Sequence, residues 1–220
     1  PSTVSRSLAD HPDISQETKN IVNAYAREHK YKPNALALSL RTNNRKTIGV
    51  ILPQIVHYFF SSVLSGIEDE AEKGGYRVII CQSNENYEKE VKGAQALLEA
   101  RVCGVLASVA KTTTIYNHFQ ELIDSDIPMV FFDRICTGIL TDRVVVDDYA
   151  GVCSAVEYLI RSGCRRIAFF GSPSHLAISN NRRMGYEDAL RKNGLPVDKE
   201  LIKICDNYTE ATTIIPRRFG

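Results

Sequence analysis

Apolar side chains recur at helical spacing in the first part of the chain. Val4 and Leu8 share one face of a short stretch, and after a turn Ile21 and Tyr25 repeat the same period. Ser15 stands just before the second stretch, where its hydroxyl can accept a hydrogen bond from a free amide of the first helical turn. The pattern therefore predicts two helices joined by a turn.

Beyond Thr47 the pattern changes to short apolar runs that alternate with amphipathic stretches. The apolar runs predict strands at 48–52, 76–81, 102–107, 127–132, 144–146, 165–171 and 201–205. The amphipathic stretches predict helices at 59–73, 87–100, 114–125, 149–162 and 180–193. Such alternation is typical of βαβ units, in which helices cover both faces of parallel sheets. The sequence therefore predicts an α/β fold.

A short segment, residues 33–46, separates the two patterns. Pro33 and Asn34 can open a helix, the Leu and Ala residues that follow favour it, and the polar run after Arg41 ends it. A helix of one or two turns is marginal by itself, so we expect it to form only when it packs against something.

The composition is that of an ordinary globular protein, because 44% of the 220 residues are hydrophobic and 24% are charged. The net charge is only +1, but residues 1–47 carry eight Lys and Arg against four Asp and Glu. A basic head on a mildly acidic remainder indicates contact between the head and a polyanion, although chance asymmetry on a solvated surface gives the same balance. Charge alone leaves both interpretations open.

Residues that bind metals or form disulfides are scattered. The six cysteines form no C-x-x-C pair and mostly lie in apolar runs, and the five histidines are dispersed. This arrangement predicts reduced, mostly buried thiols in a cytoplasmic protein, and no metal site. We find no signal peptide and no long apolar run, so we expect no membrane partner. Because Pro1 already lies in a helical pattern, we expect the sequence to begin and end inside a larger protein.

Motifs of the common α/β enzymes are absent from the sequence. The chain contains no P-loop, no G-x-G-x-x-G and no G-x-S-x-G. Asp147 and Asp148 are adjacent carboxylates, but at a strand end they are expected to point to opposite sides, which argues against a shared catalytic pair. We therefore predict that the protein is not an enzyme and uses no cofactor.

Six short motifs follow one another along the chain. They are Thr3-Val4-Ser5-Arg6, Tyr31-x-Pro33-Asn34-Ala35-x-Ala37-x-Ser39-Leu40, Lys46-Thr47-Ile48-Gly49-Val50, Phe131-Phe132-Asp133-Arg134, Val146-Asp147 and Arg182-x-x-Gly185-Tyr186. Together, in this order and at these separations, they resemble the lactose/galactose repressor family of bacterial transcription regulators. The resemblance covers essentially the whole chain.

The resemblance implies three parts. The first is a partial helix-turn-helix DNA-binding headpiece at 1–32, and the second is a hinge helix and linker at 33–46. The third is an effector-binding core at 47–220, similar to a two-lobed periplasmic sugar-binding protein with parallel sheets. Its N-lobe is expected at about 47–147 and a partial C-lobe at about 148–220.

The resemblance also implies which residues of the headpiece contact DNA. In a helix-turn-helix the first residues of the recognition helix face base edges in the major groove, which assigns base reading to Pro1, Ser2 and Arg6. Thr3 and Ser5 have short hydroxyls suited to phosphates. Without the resemblance, the same residues are an ordinary polar helix start.

In the hinge, Leu40 occupies the position at which this family inserts a leucine into the minor groove. Asn34, Ala37 and Arg41 would then face the groove or the DNA backbone. The alternative is an ordinary apolar stripe formed by Leu36 and Leu40.

Candidate effector-binding residues follow the predicted strands, since ligands of doubly wound lobes bind beyond the carboxyl ends of the strands. They are Phe59, Phe60, Asp133, Arg134, Asp147 and Arg182. The aromatic rings would form a stacking wall for a sugar or ring, and the charged groups would supply directional hydrogen bonds. Two alternatives remain: one phenylalanine packs in the core while the other lines the cleft, and Arg134 forms a structural ion pair with Asp147.

These expectations lead to one main function and one alternative. The main hypothesis is a dimeric repressor that binds double-stranded operator DNA in the cytoplasm, associated with the nucleoid, and is switched by a sugar or related metabolite. The alternative is a stand-alone sugar-binding protein. That alternative would use the core but would have no use for a DNA-binding headpiece.

Overall fold

The computed structural model describes residues 2–29, 31, 46–205 and 212. The chain divides into two units, Pro1–Arg45 and Lys46–Gly220. Apart from Lys46, the predicted hinge segment lies outside the described residues, and so does nearly all of the tail beyond 205.

The first unit contains the two predicted helices, α1 (Ser2–Leu8) and α2 (Gln16–Glu28). The Ser15 hydroxyl accepts a hydrogen bond from the Thr18 amide at 3.3 Å, which confirms the predicted N-cap. The turn between the helices is closed by an ion pair of 2.8 Å between Lys19 Nζ and Asp10 Oδ1. An open apolar groove remains between the helices, and its lining includes Val4, Leu8, Ile21, Val22 and Tyr25.

The second unit contains two parallel sheets, which confirms the predicted α/β fold. The five-stranded sheet has the order β2-β1-β3-β4-β5, with strands β1 (Thr47–Leu52), β2 (Arg77–Gln82), β3 (Gly104–Ala107), β4 (Met129–Phe132) and β5 (Asp142–Val144). The smaller sheet pairs β6 (Phe169–Gly171) with β7 (Ile202–Ile204). The helices of this unit are α3 (Tyr58–Lys73), α4 (Tyr87–Glu99), α5 (Asn117–Asp124), α6 (Asp148–Arg161) and α7 (Ala177–Lys192). A short 3-10 helix, Lys199–Leu201, precedes β7.

Helices cover both faces of the large sheet because successive residues of a strand point to opposite sides. Ile51 of β1 joins the apolar cluster that contains Leu97 of α4 and Phe119 of α5. Its neighbour Leu52 packs in the cluster that contains Phe60 of α3. The strand is therefore buried on both faces, as its continuous apolar sequence predicts.

A third cluster forms around α6 and α7, next to the small sheet. Tyr186 is almost fully buried there, and its hydroxyl donates to the Ile167 carbonyl at 2.8 Å. The two helices approach so closely that a Cβ added to Gly185 would lie 2.5 Å from the Tyr149 carbonyl oxygen. The Arg-x-x-Gly-Tyr motif therefore contains two residues that serve packing.

Several expected boundaries were wrong by a few residues, among them those of three strands in the second half of the chain. The strand expected at 144–146 lies at Asp142–Val144, and the strand expected from residue 165 begins at Phe169. The strand expected from residue 201 begins one residue later, because Leu201 ends a 3-10 turn. The expected burial of most thiols was also wrong, because only Cys136 and Cys153 are buried, Cys164 is exposed after the end of α6, and the other three are partly buried.

Candidate functional site

The loops that follow the parallel strands converge at one edge of the large sheet. This carboxyl edge carries the segments after β1, β2, β3 and β4, including residues 83–86 and 133–134. Three residues with positive φ lie there, namely Asn84 at 53°, Glu85 at 59° and Asp133 at 57°. Residues other than glycine seldom adopt this conformation, and such strain is concentrated at ligand sites.

Arg134 lies at the centre of a buried polar group at this edge. Its Nη1 atom donates to both carboxylate oxygens of Glu85 at 2.8 Å, and its Nε lies 3.9 Å from Asp133 Oδ2. The guanidinium also lies over the ring of Phe60, 5.8 Å from the centroid. The side chains of Arg134, Glu85 and Asp133 are only 14%, 19% and 16% exposed, so these contacts are only weakly screened by water.

The alternative ion pair between Arg134 and Asp147 is wrong, because the carboxylate bound by Arg134 is that of Glu85. Asp147 instead caps α6: its Oδ1 accepts the Ala150 amide at 2.9 Å, and the residue is exposed. The sequence did not predict that Glu85 is the partner of Arg134, since the two are 49 residues apart and only the order of the strands brings them together.

Arg182 of α7 binds the residue next to Asp147. Its Nε donates to Asp148 Oδ1 at 2.7 Å, and the Asp148 side chain is 10% exposed. Asp147 and Asp148 therefore have different partners: Asp147 accepts a backbone amide, and Asp148 forms the ion pair with Arg182. The signal for Asp148 was present in the sequence as the second of two adjacent carboxylates.

Burial raises the pKa of Asp133 above its ordinary value. The positive charges of Arg134 and Arg182 oppose this rise, while the Asp148 carboxylate adds to it. Asp133 therefore interacts electrostatically with groups of both lobes, since Arg182 and Asp148 belong to α7 and α6. Three of the six predicted effector-binding residues, Asp133, Arg134 and Arg182, thus belong to one electrostatic cluster.

The two predicted aromatic residues have different environments. Phe60 is 4% exposed and packs edge-on against Phe132, with 6.4 Å between the ring centroids. Phe59 is 49% exposed and lies 5.2 Å from Phe60. Phe60 therefore packs in the core, and Phe59 keeps a ring that remains accessible.

The loop after β3 is held by a carboxylate that the sequence analysis missed. Glu90 of α4 is fully buried, and it accepts the Ala110 amide at 2.6 Å and the Thr113 hydroxyl at 2.7 Å. His118 Nε2 lies 3.0 Å from the same carboxylate. A buried carboxylate in an amphipathic helix gives no distinctive sequence signal, so only the fold reveals it.

The predicted DNA-contacting residues are partly described. Ser2, Thr3, Ser5 and Arg6 lie on α1, where Thr3 and Arg6 are exposed and Ser5 is partly buried. The others lie outside the described residues; they are Pro1, Asn34, Ala37, Leu40 and Arg41.

The described residues contain neither a metal-binding cluster nor a membrane-spanning helix. In the described ranges, no cluster of three or more His, Cys, Asp and Glu side chains is arranged to hold a metal ion. No helix in that part of the chain combines the length and the apolar character needed to span a membrane.

Two family models match consecutive parts of the chain. Residues 1–34 match the bacterial regulatory proteins of the lacI family. Residues 45–215 match the periplasmic binding proteins and sugar binding domain of the LacI family.

Curated relatives match along most of the chain. The HTH-type transcriptional regulator RegA of Clostridium saccharobutylicum is 33% identical over 203 residues, which are 91% of this chain and 60% of the relative. The ribose operon repressor of Bacillus subtilis (strain 168) is 33% identical over 190 residues, 86% of this chain and 56% of the relative. The chain thus spans about three fifths of the length of these relatives.

Solved structures agree on the fold. The transcription regulator CcpA of Lactococcus lactis has a TM-score of 0.72 at 24% identity, covering 80% of this chain and 66% of its own. A lac repressor dimer bound to operator and an anti-inducer also has a TM-score of 0.72, at 21% identity, covering 92% of this chain and 60% of its own. With a family model matched over most of its length, the chain belongs to the LacI family of bacterial regulatory proteins.

Proposed function

We propose that the protein is a sequence-specific DNA-binding transcription regulator, acting as a repressor, whose affinity for operator DNA is switched by a sugar or related metabolite. The observation that carries this proposal is the succession of two matches, a regulatory-protein headpiece at 1–34 followed by a sugar-binding core at 45–215. A stand-alone sugar-binding protein has no use for the first part, so this order favours the regulator.

The names of the relatives support the same function. They include a ribose operon repressor of Bacillus subtilis (strain 168) and the repressor CytR of Escherichia coli (strain K12). A solved neighbour is the transcriptional regulator CelR in a cellobiose complex. These relatives are regulators, and we therefore propose a binding protein without catalytic activity, located in the cytoplasm and associated with the nucleoid.

The headpiece would read DNA through α1. Arg6 is exposed on this helix and its guanidinium can bind guanine O6 and N7 together. Ser2 joins Pro1 and Arg6 in base reading, and the hydroxyls of Thr3 and Ser5 donate hydrogen bonds to phosphates.

We assign 1–32 to the headpiece, 33–46 to the hinge and 47–220 to the effector-binding core.

The hinge would add a contact in the minor groove. Leu40 is assigned as the wedge between base steps, with Asn34, Ala37 and Arg41 on the groove or backbone. An apolar wedge bends the duplex and so brings more protein surface into contact with DNA. A homodimer would place two headpieces on the two halves of an operator.

The effector would bind at the carboxyl edge. Asp133 and Arg134 of the N-lobe and Arg182 of the C-lobe form its polar part, together with Asp147, and the accessible ring of Phe59 forms its apolar part. Phe60 supports this wall from the core, since it packs against Phe59 and carries the Arg134 guanidinium on its face.

The test is a DNA-binding titration on DNA fragments from around the protein's own gene, with the salt concentration varied. Arg6→Ala and Leu40→Ala should weaken specific binding, each by about tenfold or more, the cost of one base contact. Arg161→Ala is the matched control, because Arg161 is an exposed arginine at the end of α6 in the core. Equal binding by all three variants, or binding that does not distinguish these fragments from random DNA, would contradict the proposal.

A further inference from the structure

Lys46 is the last residue of the hinge segment and the first residue of the second unit, and its side chain binds within that unit. Its Nζ atom donates to the Gly74 carbonyl oxygen at 3.3 Å and lies 5.7 Å from the centroid of the Tyr76 ring. We call Lys46, Gly74 and Tyr76 the clasp. One of the eight basic residues counted in 1–47 therefore has its charge bound by the core.

The clasp lies at the carboxyl end of α3. Gly74 directly follows the last residue of this helix, and helix ends of this kind attract cations because the last carbonyl groups carry partial negative charge. The face of an aromatic ring attracts a cation as well. Tyr76 is 39% exposed, so the ammonium group keeps contact with water while it binds both partners.

The end of α3 is shaped so that Lys46 can reach it. Gly75 has φ 70°, and a Cβ there would lie 3.3 Å from Lys46 Nζ, so a larger residue would be strained and would crowd the ammonium group. The Tyr76 amide donates to the Ala71 carbonyl at 2.7 Å, which turns the chain back over the last helical turn. This turn brings the Tyr76 ring to Lys46.

The main chain is fixed at the same point. The Arg77 amide donates to the Lys46 carbonyl at 2.9 Å, next to the pair Thr47–Arg77 that begins the β1–β2 ladder. On the other side of β1, the Cys103 amide donates to the Thr47 carbonyl at 2.8 Å. Lys46 is therefore the residue at which the hinge segment joins the large sheet, and its side chain adds a tie to α3.

A neighbouring lysine at the same helix end provides a contrast. Lys73 Nζ forms an ion pair of 2.7 Å with Glu70 Oε1 one turn earlier, and its side chain is 70% exposed. That contact joins two residues of the same helix, whereas Lys46 reaches a carbonyl 28 residues further along the chain. Lys46 thus ties together two separate elements of the second unit.

Helix α3 is a firm support for this tie. Its 16 residues correspond to a length of about 24 Å, and Phe60, Leu64 and Ala71 are buried along it. Its first turn carries Phe60 beneath the Arg134 guanidinium at the carboxyl edge. The clasp therefore fastens the hinge segment to the far end of the helix that supports the candidate effector site.

We propose that Lys46 and Tyr76 are positioning residues for operator binding, and that the clasp fixes the point from which the hinge segment leaves the core. The inference rests on the proposed DNA-binding function. A specific site accepts only one placement of the headpieces, and a fixed point of departure reduces the conformational entropy that is lost in reaching it. Binding to random DNA accepts many placements and gains little from the clasp. Lys46 acts here through the hinge segment and not by neutralising a phosphate.

The experiment is a DNA-binding titration of the whole chain on fragments from around the protein's own gene and on random DNA of equal length, at several salt concentrations. Lys46→Met removes the charge and keeps an unbranched stem, Tyr76→Leu removes the ring, and a double variant combines them. Lys46→Arg keeps a cation that binds a carbonyl and a ring alike. Lys73→Met is the matched control, because it removes a positive charge from the same helix end. Circular dichroism melts establish that all variants are folded.

We expect Lys46→Met and Tyr76→Leu each to weaken specific binding by about tenfold and to change binding to random DNA by less than about twofold. The double variant should bind no more weakly than the single variants, since each of them already opens the clasp. Lys46→Arg should restore most of the affinity, and Lys73→Met should match the wild type. The salt dependence of specific binding should be the same in every variant.

Four results overturn the inference. Specific binding by Lys46→Met that equals that of the wild type shows that the clasp positions nothing. Losses that add in the double variant show that Lys46 and Tyr76 act separately. A salt dependence lowered by about one phosphate contact in Lys46→Met, with Tyr76→Leu unaffected, shows that Lys46 binds DNA directly. Specific binding that is absent already in the wild type overturns the proposed function, and the inference with it.

Discussion

The ring Nε2 of His175 lies 2.6 Å from the backbone carbonyl oxygen of Lys111, so the loop after β6 is hydrogen-bonded to the loop after β3. A carbonyl only accepts, and His175 must therefore carry its proton on Nε2. The acceptor is held rigidly, since the Lys111 amide donates to Glu85 at 2.8 Å and the adjoining Ala110 amide donates to Glu90 at 2.6 Å. This hydrogen bond connects the two lobes.

His175→Ala should loosen this connection. The expected loss is about 0.5–1.5 kcal/mol, the net value of one hydrogen bond. Hydrogen exchange of residues 108–116 and 172–176 measures it as faster exchange in both loops. His175→Gln keeps an N–H donor of similar reach and should restore most of the protection. Exchange that is identical in the wild type, the alanine variant and the glutamine variant would show that the contact does not hold the lobes.

Gly185→Ala should destabilise the protein although alanine favours a helix. The new Cβ would lie 2.5 Å from the Tyr149 carbonyl oxygen, and overpacking of this kind costs about 1–3 kcal/mol, more than the gain in helix propensity. Gly151→Ala on α6 is the control, because a Cβ there meets nothing within 4 Å and should stabilise by roughly 0.4–1 kcal/mol. Urea denaturation measures both changes, and changes of the same sign would contradict the packing argument.

Substitution of Glu90 should unfold the loop after β3. Glu90→Gln keeps the size but replaces one of the two acceptor oxygens with an NH2 donor, which cannot accept from Ala110 or Thr113, at a cost of about 1–3 kcal/mol in the free energy of unfolding. Glu90→Ala leaves all of the donors unpaired and should cost about 3–5 kcal/mol. Glu121→Gln, an exposed glutamate on α5, is the control and should be near neutral. A Glu90→Gln midpoint equal to that of the control would contradict the prediction.

The periodic pattern predicted the helices well because the apolar period and the caps of a helix are local properties. Ser15 and the face that contains Ile21 lie within a few residues of each other, and α2 follows from them. The short strands were predicted less well: all three residues of β5 are exposed, and pairing with β4 decides its position rather than hydrophobicity. The apolar run 144–146 misled the prediction because Val145 and Val146 lie exposed beyond the strand.

The sequence predicted some residues of the candidate site but not the contacts between them. Positions at the ends of strands follow from the α/β pattern, which found Asp133 and Arg134. The partners of these residues do not follow from the pattern. Glu85 lies beside Arg134 because of the order of the strands in the sheet. Asp147 and Asp148 differ in role because Asp147 caps α6 and Asp148 is its first residue, which only the structure shows. Pairing between distant segments is a property of the tertiary structure and has no counterpart in spacing.

The outermost strand β2 should take part in the proposed homodimer. It lies at the edge of the large sheet, and Ile79 and Ile80 are 37% and 36% exposed although they point to opposite faces. A lysine on an edge strand prevents edge-to-edge association. Ile79→Lys should therefore shift the protein toward the monomer in sedimentation equilibrium, whereas Leu140→Lys, at a loop position that is 98% exposed, should not. A dimer that survives Ile79→Lys would place the interface elsewhere.

Asp133→Asn should stabilise the folded protein at neutral pH while it weakens ligand binding. Burial raises the pKa of Asp133, so the folded state binds this proton more tightly than the unfolded state does. The ionised carboxylate therefore costs stability at a pH above its folded pKa, and the cost disappears at a pH below the ordinary value of an aspartate. The asparagine variant lacks this cost, and its melting temperature should exceed that of the wild type at pH 7, with the difference vanishing in acid. Thermal melts of both proteins from pH 7 downward measure this, with Asp126→Asn as control, since Asp126 also has positive φ (58°) and lies before the opposite end of β4. A difference that grows in acid would mean that the neighbouring arginines, and not burial, dominate the pKa of Asp133, and it would contradict the prediction.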